Sequence, residues 1–299
     1  MWWIPLALAT ALFESLKDVF SKRSLSSVDP YTTSFALRLT SFVLLAPILL
    51  FIEWPEWNWT LFYALMSGAS LNVAATILYM KALQEGDLSL TVPFVTFTPL
   101  FLLLTSPILV GEFPNIWGLI GVLLIVVGSY AMNVQRAQRD IWAPFRALWD
   151  QPGPRYMMGV ALIWSVTSNI DKIGVQHSSP LFWAIAASGV IGLMLWPITA
   201  FKQTREGTDL DINRWILPIR KLLGSARHLW LIGLFTGLTL ITQMMALELT
   251  LVAYVIAIKR TSAVLAVLWG IWLFKEEAGS QRLTGAILMV VGVVFITVF

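Results

Sequence analysis

Glu14, Lys259 and Arg260 are the side chains with most capacity for chemistry, because each ionisable group is set inside a long run of apolar residues. In a bilayer such a group costs about 3 kcal/mol to insert, so it faces a partner or a wet cavity. Glu14 stands about 11 residues into the first apolar run, some 16 Å deep at about 1.5 Å per residue, near the midplane. There it can exchange a proton for a cationic group of a solute. Lys17 and Asp18, at i+3 and i+4 on the same face, offer the plainer alternative of a structural ion pair. Lys259 and Arg260 are neighbours in sequence, and adjacent helical positions point about 100° apart, so both cannot face the same place. One can hold a carboxylate or phosphate while the other pairs with Glu14 or Glu248; a purely structural pairing role for both is the competing reading.

Nearer the membrane faces, Arg38 is a candidate inner gate and Asp171 an outer one, whereas Lys172 has snorkelling or local pairing available to it. Neutral groups that can complete a binding site are Asn72, Tyr79, Trp164, Asn169, Gln243 and Tyr254. Pro93, Pro99 and Pro107 interrupt one apolar run; a bent helix can gate a cavity, although membrane helices also tolerate proline.

Several chemistries are excluded by what is missing. The chain has no cysteine, so thiolate metal sites, disulfides and cysteine nucleophiles are ruled out. His177 and His228 fall at the ends of different expected helices with no other ligands marked, which suits interfacial histidines, and no metal or cofactor is expected. Neither a His-Glu-x-x-His run nor a G-x-S-x-G turn is present. An intramembrane enzyme acting on lipid therefore stays only as an alternative of another class, and the chain is read as not an enzyme.

The elements that position these residues follow from hydropathy. Of 299 residues 58% are hydrophobic and 12% charged, with mean hydropathy +0.77, against about 25% charged in a soluble domain. Runs of about 20 apolar residues, the length that crosses a bilayer, follow one another near 3–21, 31–52, 60–80, 88–109, 115–134, 156–175, 181–201, 228–248, 252–274 and 281–298. The expected fold is an all-α integral membrane protein of ten transmembrane helices. The first run carries Glu14, Lys17 and Asp18, has no basic leader and no convincing cleavage site, so it reads as a mature helix rather than a signal peptide.

Basic residues sort by side. The connections after helices 1, 3, 5, 7 and 9 hold Lys22, Arg23, Lys81, Arg136, Arg139, Arg146, Arg155, Lys202, Arg205, Arg214, Arg220, Lys221, Arg227, Lys275 and Arg282, while the other connections and both termini hold none. The positive-inside rule puts the odd connections in the cytoplasm and both termini outside, in the cell membrane. The net charge of +3 is thus a signal of topology, not of nucleic acid. Ile212 to Leu229 and residues 140–149, with Trp142, Phe145 and Trp149, have the spacing of helices lying on anionic headgroups.

The two halves match each other. Ala11-Leu12, Ser15, Lys22 and Pro30 recur as Ala161-Leu162, Ser165, Lys172 and Pro180; Ala82-Leu83, Glu112, Gly121 and Val126-Val127-Gly128 recur, at a second offset, as Ala246-Leu247, Glu276, Gly285 and Val290-Val291-Gly292. Residues 1–134 form the first five-helix repeat, 135–154 a basic cytoplasmic linker, and 155–299 the second repeat with a basic loop at 202–227. An odd number of helices per repeat inverts the second in the membrane, and such pairs can open a site alternately to either side. Trp164 occupies the repeat position of Glu14, where an aromatic face suits an ammonium group, although interfacial anchoring is the commoner use of the 15 tryptophans. Gly121 with Gly128, Gly285 with Gly292, and Gly233 with Gly237 allow close helix approach.

The ALQEGDLSL and ALELTLVAY stretches, the Glu ending helices 4 and 9, the paired glycines of helices 5 and 10 and the run YVIAIKRTSAVLAVLWGIWLFKEE resemble the EamA branch of the drug/metabolite transporter superfamily over nearly the whole chain. The resemblance implies a central cavity lined by the first four helices of each repeat, with helices 5 and 10 peripheral, and chemically diverse solutes. The expected function is secondary active transport of a small amino-acid-like, zwitterionic or cationic solute, exported in exchange for protons; a uniporter or exchanger of an anionic metabolite held by Lys259 or Arg260 is the alternative. Small solute, bilayer and protons are the expected partners.

Overall fold

Apolar runs bounded by Asn, Ser, Pro and Gly become helices, and in the computed structural model, which describes residues 1–24, 30–133, 142–203, 226–274 and 280–299, helices are the only regular elements among them. The α-helices are α1 (Trp3–Ser24), α2 (Pro30–Leu45), α3 (Trp59–Glu85), α4 (Leu88–Thr91), α5 (Thr98–Leu109), α6 (Ile116–Asn133), α7 (Ala143–Asp150), α8 (Pro152–Gln176), α9 (Pro180–Gln203), α10 (Ala226–Leu249), α11 (Val252–Lys259), α12 (Ser262–Phe274) and α13 (Ser280–Val298). Two 3-10 segments, Ala46–Leu50 and Val92–Phe97, extend α2 and join α4 to α5. Boundaries read from hydropathy lie within a few residues of these. Lys81 and Arg155 are exceptions in kind, being placed in helices α3 and α8 rather than in connections.

Helix starts are set by local chemistry. Asn58 accepts from the Leu61 amide at 2.8 Å, Asn115 from the Gly118 amide at 2.7 Å and Ser179 from the Phe182 amide at 3.2 Å, satisfying donors that a first turn leaves orphaned. Gly111, with φ +70°, turns the chain out of α5 in the left-handed region that glycine enters without a Cβ clash.

Among the described residues six helical stretches are long and apolar enough to cross a membrane: Tyr31–Leu50, Trp59–Glu85, Val92–Leu109, Pro180–Phe201, Leu229–Leu249 and Val252–Trp269. Ile116–Met132 and Leu283–Val298 are apolar but shorter. The chain is a multi-pass membrane protein. Its outer surface is correspondingly apolar, with Leu104, Ile108, Leu193, Val127 and Val290 exposed.

In packing, α1 runs along α10 and α3 along α8, while α2 lies against α9 and α10. To one side α6 pairs with α13. That pairing depends on glycine: a Cβ on Gly121 would lie 2.6 Å from the Gly292 carbonyl oxygen, and one on Gly128 2.6 Å from that of Gly285. Gly233 and Gly237 likewise receive Thr40, Ser41 and Leu45 of α2. Gly128→Val is expected to lower stability by about 1–3 kcal/mol through overpacking, read as an earlier thermal unfolding midpoint of the purified protein; an unchanged midpoint contradicts the close α6–α13 contact.

The helix expected over residues 140–149 is α7, anchored by Phe145 against Phe94 and Phe97 with Trp142 and Trp149 exposed. The basic loop 202–227, the helix expected over 212–229, Glu276 and the side chains of Lys22, Arg23, His228 and Arg282 lie outside the described residues.

Candidate functional site

Polar and charged side chains from both halves converge inside the bundle. On α1, Glu14 Oε1 lies 2.6 Å from Lys17 Nζ, and Lys17 is 3.4 Å from Asp18 Oδ1. Lys259, the last residue of α11, sits 3.7 Å from Glu14 Oε2 and donates to Gln243 Oε1 of α10 at 2.9 Å. Glu14 is therefore shared between two lysines. Side-chain exposures are 18% for Glu14, 20% for Lys17 and for Lys259, and 54% for Asp18, so Asp18 is the open member of the group. A carboxylate half open in a membrane helix faces water rather than lipid, because lipid offers it no hydrogen bonds.

Arg260 occupies the break between α11 and α12. Its amide bonds to the carbonyls of both Ile256 and Ala257, and the Thr261 hydroxyl donates to the Ile258 carbonyl at 2.7 Å, at a break that carries neither proline nor glycine. The guanidinium and the Lys259 ammonium have different partners: Nη2 donates to Thr98 Oγ1 at 2.9 Å, Nε has no partner, and among the described residues no carboxylate is within 4 Å. Thr98 opens α5, just after the 3-10 segment that carries Pro93, with Pro99 next in line. The two broken helices thus meet at Arg260 and Thr98.

Around this centre, Tyr79 of α3 stacks on Trp164 of α8 with ring centroids 5.9 Å apart, within electrostatic reach of Asp18, Lys17, Arg260 and Glu14. Arg38 and Asp171, expected to guard opposite faces, act on one another, and Arg38 also feels Glu14. Asp171 is held by Trp183 Nε1 at 2.9 Å. Asn72, half-buried, donates to the Gly68 carbonyl of its own helix at 2.9 Å. Thr10 of α1 bonds to Thr242 of α10 at 2.9 Å, and Trp269 Nε1 to Ser15 Oγ at 3.1 Å, fixing the face of α1 that carries Glu14.

Two candidates stand apart from the group. Asn169 is fully buried and satisfied by Ser106 Oγ at 2.8 Å, Thr105 Oγ1 at 3.0 Å and the Ser165 carbonyl at 2.9 Å, tying α5 to α8. Tyr254 stacks on Trp3, with centroids 6.1 Å apart, and its hydroxyl packs against Gly118 near Asn115.

A second polar cluster links α8 to the segment after α5 and to the α10–α11 junction. Lys172 Nζ is 3.1 Å from Glu112 Oε1 and donates to the carbonyls of Leu247 and Thr250, while Glu112 Oε2 accepts from the Val252 amide at 2.9 Å. Lys172 is pairing, not snorkelling. All three ammonium donors are used, and the carboxylate caps the first turn of α11. Sequence reading had noted Glu112 and Lys172 separately, as repeat-matched positions, with nothing to join them. Thr98 carried no signal at all.

Among the described residues no group of three or more His, Asp or Glu is arranged to hold a metal ion.

The model of the EamA-like transporter family matches residues 1–134 and 151–298. A solved structure titled "Crystal structure of protein" superposes with a TM-score of 0.73 over 99% of this chain and 97% of its own, at 14% identity, which is a likeness of fold. Among curated proteins none matches.

Proposed function

The chain belongs to the EamA-like transporter family, within the drug/metabolite transporter superfamily, and on that premise we propose that it carries a small amino-acid-like zwitterion by alternating access, outward in exchange for protons. The observation that carries the reading is Arg260, a cation in the centre of a membrane bundle with one guanidinium nitrogen unpartnered and only a neutral hydroxyl at 2.9 Å. Its chemistry calls for a planar anion, and a carboxylate fits the guanidinium fork. Within reach of it, Asp18 and the Tyr79–Trp164 pair offer an acceptor and an aromatic face to an ammonium group. A small zwitterion answers both.

Alternating access rests on ten crossings arranged as two inverted five-helix units. Its support is the way contacts exchange: α1–α10 corresponds to α3–α8, and Gly121 meets Gly292 as Gly128 meets Gly285. Such a pair of units can swap which end is open. The buried Lys172–Glu112 cluster then closes the end bearing the short connections, which charge sidedness assigns to the outside of the cell membrane together with both termini.

Glu14 is the proposed proton carrier, because a proton taken up there releases Lys259, its partner at 3.7 Å. In proteoliposomes tested on a metabolite panel, Glu14→Gln is expected to keep solute exchange but lose stimulation by an imposed pH gradient. Wild-type pH dependence in that variant refutes the assignment.

A second reading has an observation of its own. Arg38, Lys17, Lys259 and Arg260 outnumber Glu14, Asp18 and Asp171 by one, and that surplus suits an exchanger of an anionic metabolite. Preference for a dianion over a zwitterion in the same panel distinguishes the two.

A further inference from the structure

The Lys259 ammonium is not hydrogen-bonded to the carboxylate it pairs with. It donates to Gln243 Oε1 at 2.9 Å and stands 3.7 Å from Glu14 Oε2, beyond hydrogen-bond length. Gln243 is 5% exposed on α10, and of its two polar side-chain atoms only Oε1 can accept from an ammonium. The neighbouring residue fixes its level against α1, because Thr242 Oγ1 bonds to Thr10 Oγ1 at 2.9 Å, one turn before Glu14. We propose that Gln243 is a positioning residue of the coupling site: its neutral amide tethers Lys259 short of Glu14 and so sets the pH at which that carboxylate takes up a proton. The proposal rests on the reading of Glu14 as the proton carrier.

A neutral acceptor suits this position for an electrostatic reason. A carboxylate at 243 would compete for the ammonium and repel Glu14, whereas an apolar side chain would leave Glu14 as the nearest acceptor for the ammonium. Lys17, on the same helix as Glu14, bonds to Oε1 directly at 2.6 Å and also pairs with Asp18. The placing of Lys259 is therefore the adjustable contribution. The other charged and titratable groups that act on Glu14 are Arg260 at the α11–α12 break, Arg38 of α2 and Tyr79 of α3, while Asp171 of α8 acts on Lys259 and Arg38. Of the remaining neighbours, α12 packs on α1 without an ionisable residue, and Glu248 further along α10 is exposed.

The test is pH-dependent infrared difference spectroscopy of the full chain in lipid nanodiscs without solute, following the carboxylic-acid C=O band that Glu14→Gln removes. Gln243→Glu is expected to raise the pH of half-protonation of Glu14 by about one unit, and Gln243→Met, close to glutamine in volume, to lower it by about one unit. The double variant Glu14→Gln/Gln243→Glu subtracts the band of the added carboxyl. Opposite shifts at one position, with unfolding midpoints near that of the wild type, are not given by a residue that only fills space. Should Gln243→Glu fail to assemble, the direction of the Gln243→Met shift decides. A Glu14 band that keeps its wild-type midpoint in both variants, or moves the same way in both, overturns the tether and leaves Glu14 as the proton carrier. If Glu14→Gln removes no band at any pH at which the protein stays folded, the proton-carrier reading falls, and the tether with it.

Discussion

Arg260→Gln is expected to raise the KM for a carboxylate-bearing solute about 10- to 150-fold, the equivalent of the roughly 1.5–3 kcal/mol of a hydrogen bond to a charged group. The guanidinium has only the Thr98 hydroxyl at 2.9 Å and leaves Nε without a partner, so little internal structure is lost with the charge. Arg260→Lys should recover part of the affinity, since the point charge remains but the two-pronged geometry does not. Solute specificity separates recognition from scaffolding. A decarboxylated amine analogue should be a poor solute for the wild type and equally poor for Arg260→Gln, whereas a structural role for Arg260 lowers transport of every solute alike. Lys259→Gln makes the internal control: it removes a partner of Glu14 and Gln243 and should change pH dependence more than KM.

Lys172→Met is expected to destabilise the closed end by about 3–5 kcal/mol, because removing one partner of a buried pair leaves the other charge uncompensated. Lys172 and Glu112 are 6% and 16% exposed at 3.1 Å, and the lysine also satisfies two carbonyls at the end of α10. The double variant Lys172→Met/Glu112→Gln should be less damaged than the sum of the single variants, since neither charge is then stranded. Opening can be read separately. The chain has no cysteine, so Ser106→Cys, at a site 2% exposed on α5, is a background-free reporter. It should react with an impermeant maleimide faster in the Lys172→Met background than in the wild type. Additive unfolding free energies together with an equally protected Cys at 106 contradict a closing role for the cluster.

Helix extents were legible because apolar runs are local. The caps Asn58, Asn115 and Ser179 were not read from the sequence, whereas the interruption by Pro93 and Pro99 was, and the 3-10 segment before α5 lies there. The second break, at Arg260 and Thr261, was not legible, since no proline or glycine marks it. Glu14 could be singled out by depth alone. Which of Lys259 and Arg260 would meet it could not, because two residues 100° apart on a helix are resolved only by the azimuth that packing imposes. The same holds for the neutral polar residues: Asn169 and Tyr254 look like Asn72 and Tyr79 in sequence, yet their amide and hydroxyl are taken up between helices. Arg38 and Asp171 were assigned to opposite faces by counting residues from helix ends, and each lies within electrostatic reach of the other. Lys172 and Glu112, sixty positions apart along the chain, meet only because α5 packs on α8.

Counterflow in proteoliposomes bears most directly on the claim of a carrier with one central site for a small zwitterion. Vesicles preloaded with unlabelled amino-acid-like solute should take up the labelled compound transiently above equilibrium, with saturation, and Arg260→Gln vesicles should show neither at the same concentrations. Uptake that rises linearly with concentration and ignores preloading, in wild type and variant alike, would contradict alternating access at Arg260.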